Sequence, residues 1–116
     1  MIRRLASLAA IVAFLCFALA WTARSHQAPS GWEYPISCCS NQDCARVSAE
    51  AVRERRGGWH VTVTPGTHPQ VLAGAPAIMV FVAAAEAQPS PDGEYHICLH
   101  HSDKRVLCFF VPPGGV

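Results

Sequence analysis

The chain has 116 residues, with nine basic and eight acidic side chains, a formal charge of +1 and six cysteines. That length makes one domain with a modest core, and the near-neutral balance excludes the basic footprint of a nucleic-acid binder. The first segment sharpens both points. Arg3 and Arg4 precede an uncharged apolar run from Leu5 to Trp21, the n-region and h-region of a secretory signal spanning residues 1–20. Small residues at Ala18 and Ala20 place the expected cleavage before Trp21. An uncleaved anchor is the alternative, although seventeen helical residues reach only about 25 Å against a hydrocarbon core of about 30 Å. Cys16 follows a bulky Leu15 and has more apolar chain after it, which does not suit a lipoprotein. Cleavage removes two of the nine basic residues and none of the eight acidic ones, so the formal charge passes from +1 to −1. All nine prolines and all eight glycines lie beyond the signal, a density of turn formers that favours short strands over long helices.

Residues 21–31 read as an irregular leader, and 32–116 as a single disulfide-stabilised domain. Trp32 and Tyr34 point the same way in an extended segment, more suited to packing on a core than to a surface platform. Cys38 and Cys39 are adjacent, a spacing that strains a bond between them and directs each outward, to Cys44 or to the C-terminal strands. Ser48 is a candidate N-cap for a short helix over 49–53. Arg55-Arg56-Gly57-Gly58 marks a turn before a strand over 59–64, with Trp59, Val61 and Val63 inward and His60 toward solvent. Pro65 to Pro69 forms another turn, and Gly74-Ala75-Pro76 breaks the chain before a buried strand over 78–82 that ends in a bend. Ser90-Pro91-Asp92-Gly93 has the preferences of a type I turn, which casts its hydroxyl and acid as turn-formers, not catalysts.

Residues 94–100 and 105–111 read as a hairpin. With Ser102, Asp103 and Lys104 as the loop, Cys98 faces Cys108. Tyr95, Ile97, Leu99, Leu107, Phe109 and Val111 then share the core face. His96, Cys98, His100, Val106, Cys108 and Phe110 share the other. Opposed Cβ atoms lie about 4.5–5.5 Å apart, within small adjustment of a disulfide. An oxidising compartment favours that Cys98–Cys108 bridge. The competing reading makes His96, Cys98, His100 and Cys108 a copper or zinc site, since both metals favour nitrogen and sulfur donors. The two exclude each other at the cysteines. Five cysteines beyond the signal leave one thiol over, either buried or joined to another chain, and sequence does not choose the pairing.

No repeat, phosphate loop, metalloprotease helix or nucleophile elbow occurs, so no catalytic residue is assigned. The fold class expected is mainly β: a compact, loop-rich, disulfide-stabilised antiparallel sheet with a C-terminal hairpin and room for a little helix. At Trp32-x-Tyr34-Pro35, Cys38-Cys39-Ser40, Asp43-Cys44, Pro89-Ser90-Pro91-Asp92-Gly93-x-Tyr95-His96-x-Cys98 and Cys108-Phe109-Phe110-x-Pro112-Pro113-Gly114-Gly115, the chain resembles small uncharacterised bacterial exported proteins. The resemblance implies a periplasmic or secreted setting and transfers no activity. The expectation is therefore a non-catalytic envelope or secreted module, with an unknown protein or envelope component as partner and no cofactor. A periplasmic metal-binding protein is the first alternative, and thiol redox chemistry at Cys38 and Cys39 the second.

Overall fold

A computed structural model describes residues 1–20, 26–39 and 43–114, without the side chains of 18–20. The apolar run forms helix α1 (Ile2–Ala20), exposed from Met1 through Phe17. Among the described residues no helix is long and apolar enough to cross a membrane. Ala18 and Ala20 lie in the last turn of α1, and Trp21 falls outside the described residues.

The remainder is mainly β, in two sheets, with two disulfides on the far face of the first. The first sheet orders its strands β1 (Cys44–Val47), β6 (Tyr95–Leu99), β7 (Val106–Val111) and β5 (Ala87–Pro89). The second orders β2 (Val52–Arg55), β3 (Gly58–Val63) and β4 (Ile78–Ala83). Neighbours are antiparallel except β5, which joins β7 in parallel. Alternation along β3 sends Trp59, Val61 and Val63 inward, where they meet Val47, Ile97, Leu99, Phe109 and Val111 from the first sheet. Fully burying side chains of this kind stabilises by roughly 1.5–3 kcal/mol each, so this layer is the main source of cohesion.

The far face of the first sheet is buried as well. Residues 26–39 cross it, placing Ala28, Tyr34, Cys38 and Cys39 against Cys44, Cys98, Cys108 and Phe110. Ala28 is thus packed, although residues 26–31 are irregular apart from a single bridge between Gln27 and Glu33. Trp32 and Tyr34 both lie on this core, as two residues on one side of an extended segment should.

Three local expectations change. The helix expected over 49–53 is a 3-10 turn, Ala49–Ala51, and Val52 and Arg53 belong to β2; Ser48 makes no side-chain cap. Pairing of Val52 with Val61 supplies a ladder that a two-turn helix could not match. The strand at 78–82 is present but lies at an edge, leaving Met79 and Phe81 exposed. In the hairpin, Cys98 does face Cys108, but the register slips beyond it so that Leu99 pairs with Val106. Leu107 is the extra residue of this bulge, which exchanges the faces expected for Val106 and Leu107. The loop also lengthens: His100 N–H donates to Arg105 O, and Lys104 takes a left-handed φ of 58°.

Gly58 is required by contact, because a Cβ there would lie 2.0 Å from the Val82 carbonyl oxygen, a backbone atom that cannot rotate away. Gly58→Ala should therefore force β3 and β4 apart and lower stability by roughly 2–4 kcal/mol, measured by urea unfolding followed by Trp fluorescence. An unchanged midpoint would contradict this packing.

Candidate functional site

The residues marked by sequence converge on the covered face of the first sheet. Cys44, Cys98 and Cys108 are register partners in a row across β1, β6 and β7. The expected Cys98–Cys108 bridge is not formed. Cys98 bonds Cys44 and Cys108 bonds Cys38. The hairpin register was the basis of that expectation, and it holds at this pair; what it omits is that β6 has a second neighbour carrying another cysteine. Cys39 is buried and outside both disulfides, as is Cys16 on the exposed helix.

The ligand set His96, Cys98, His100 and Cys108 is not assembled. Both sulfurs are in bridges, His96 is engaged on both ring nitrogens, and His100 lies beyond the bulge with its Nδ1 2.8 Å from Ser102 Oγ. Among the described residues no group of three or more His, Cys, Asp or Glu side chains is placed to hold a metal ion.

What His96 joins instead is a buried polar chain. The Tyr34 hydroxyl lies 2.8 Å from its Nδ1, and Asp92 Oδ1 and Oδ2 lie 2.8 and 2.9 Å from its Nε2. Asp92 also accepts from Ser90 Oγ and Ser30 Oγ, each at 2.7 Å, and from the Glu94 N–H at 3.1 Å. Asp92 is thus the turn-former expected, with an additional role in anchoring β6 and the covering segment. Trp32 packs edge-on to His96, Tyr34 and Phe110, closing the site from above.

Electrostatics set the two ends of this chain, Asp92 as carboxylate and Tyr34 as neutral phenol. Burial works against ionisation of Asp92, but hydrogen bonds from His96, Ser90, Ser30 and the Glu94 N–H hold its carboxyl well below the usual carboxylate range. Burial, then the negative charges of Asp92 and Cys39, push the Tyr34 phenol well above its ordinary value. Tyr34 therefore keeps its proton and can donate to Nδ1, leaving Nε2–H to donate to the carboxylate. Such a chain could relay a proton, but His96 is 0% exposed and Tyr34 1%, so no substrate atom reaches the imidazole. A groove of about 330 Å³ passes along His26, Pro29, Arg46 and Pro69 and meets the network only at the flank of Tyr34. The arrangement joins segments; it does not present a reactive group.

A second histidine braces the middle of β6, at the residue after His96. His68 Nδ1 accepts from the Gln70 N–H at 3.0 Å while its Nε2–H donates to Ile97 O at 3.1 Å. Burial lowers its pKa, only partly offset by the Ile97 and Asp43 backbone and the Asp43 charge. Protonating Nδ1 would also break the bond from Gln70. In the sequence His68 is one residue of a Pro- and Gly-containing turn, and nothing local marks it as buried. The Tyr34 link was equally hidden, being 62 residues from His96; the one local signal was Asp92 and His96 at i and i+4 around a turn.

Comparison with family models, curated proteins and solved structures finds no match.

The pKa shifts of His68 and Asp92 are both downward, so both groups favour the fold at higher pH and lose that contribution in acid. For His68 the loss begins as pH falls through its unfolded value of 6.5, and for Asp92 as it falls through 3.8. Denaturation midpoints should decline in two stages from pH 7 to 2, with His68→Gln flattening the first and Asp92→Asn the second. Tyr34→Phe, which leaves the His96 Nδ1 buried without its partner, should cost roughly 1–3 kcal/mol at neutral pH. Midpoints independent of pH in wild type would contradict these assignments.

Proposed function

We propose that the chain is a non-catalytic module exported to the bacterial envelope or secreted, whose stapled β domain serves by binding a partner there. The observation that carries this reading is the use of the cysteines. Four of them close nested loops of 70 and 54 residues, and either cross-link by itself removes unfolded-chain entropy on the order of 4 kcal/mol. Bonds of this kind persist in oxidising compartments, in keeping with the signal-like α1 sequence. The polar chemistry supports the same reading, because the Tyr34, His96 and Asp92 network is spent on holding residues 26–39 to the sheet.

Export and processing should leave Cys39 as the thiol of the chain beginning at Trp21, unreactive to alkylation until the protein is denatured. Peptide mapping of protein recovered from the periplasm should find Cys38 with Cys108 and Cys44 with Cys98. Retention in the cytoplasm, or further thiols titrating in the native exported protein, would overturn the proposal. Replacing Cys38 and Cys108 together by Ala should cost roughly 2–5 kcal/mol, read by chemical denaturation.

A further inference from the structure

We propose that β4 is an association edge, on which a second copy of this chain pairs antiparallel to give one sheet running β2-β3-β4 from each copy. Sheet edges offer unpaired N–H and C=O groups, and proteins usually guard them with charge, proline or short length. Three edges here are guarded. β1 has four residues and carries Arg46, β5 has three and ends in Pro89, and β2 carries Arg53, Glu54 and Arg55. β4 is different: Ile78-Met79-Val80-Phe81-Val82-Ala83 has six residues with no charge, proline or glycine. Among the described residues, no strand or bridge pairs with its outer side.

The backbone specifies which groups are available. Ala84 N–H donates to Gly57 O, and the next pair in the ladder is Gly58 with Ala83. Hydrogen-bonded and non-hydrogen-bonded pairs alternate in an antiparallel ladder, so Val82, Val80 and Ile78 bond β3. The N–H and C=O groups of Met79, Phe81 and Ala83 therefore point outward. A two-fold axis at Phe81 sets Phe81 against Phe81 of the second copy and Met79 against Ala83, engaging all three residues of each strand in about six hydrogen bonds.

Side chains suit the same register. Met79 is 68% and Phe81 50% exposed, both on the outer face, and the His60 ring packs edge-on to Phe81 at 5.4 Å. The long Met79 would lie beside the small Ala83, and the two Phe81 rings would meet. An uncharged strand places no like charges together when it pairs with itself, and any second copy brings the complementary edge with it. A strand pair buries less than the roughly 1,200–2,000 Å² of a stable interface, so the association should be concentration-dependent.

The test uses the full chain in a Cys16→Ser background, with a short bismaleimide cross-linker and peptide mapping. Phe81→Cys should give a linkage between position 81 of two copies, at a rate about tenfold or more above Thr62→Cys, which sits one strand further in on the same face. Ala83→Pro supplies an independent arm. Ala83 already has φ −67°, which proline accepts, and its N–H is not used by β3. That variant should keep the wild-type unfolding midpoint and weaken association about tenfold in sedimentation equilibrium. Equal cross-linking at 81 and 62, a wild-type chain monomeric at all concentrations, or association unaffected by Ala83→Pro would each overturn the proposal.

Discussion

β6 is buried on both faces, and most of the structure follows from that constraint. Ile97 and Leu99 face the second sheet; His96 and Cys98 face residues 26–39. A strand with two polar-capable residues on one side would ordinarily leave that side wet. Here the cysteine is bonded and the histidine has a partner on each nitrogen, so the desolvation that both suffer is met. No buried side-chain nitrogen or oxygen among the described residues lacks a hydrogen-bond partner.

The covering segment depends on this satisfaction more than on regular structure. Residues 26–39 contribute one isolated bridge and a few turns, too little backbone pairing to hold themselves in place. They are fastened by Cys38 to β7, by Tyr34 to β6 and by Ser30 to the turn before β6. Covalent, buried and surface ties thus act at three points along one short stretch.

The second sheet has a different character. Its inner face is apolar and continuous with the main core, while its outer face mixes Arg53, His60, Thr62, Met79 and Phe81. One edge is charged and the other is long and uncharged, whereas both edges of the first sheet are short. The covalent and polar ties lie on the first sheet, and the uncharged edge belongs to the second.

Much of the fold was legible in the sequence, because alternation and turn chemistry are local. The strand at Trp59, the hairpin and its Cys98–Cys108 register, the turn at Ser90 to Gly93 and the inward placement of Trp32 and Tyr34 all follow from neighbours within a few residues. The short helix at 49–53 failed because a weak capping signal yielded to pairing with β3. The disulfide pairing, the burial of His96 and the tie of Asp92 to Ser30 were decided by tertiary structure alone. Each depends on a segment more than fifty residues away arriving at the same sheet face, and no local pattern records which of two adjacent strands a cysteine will bond.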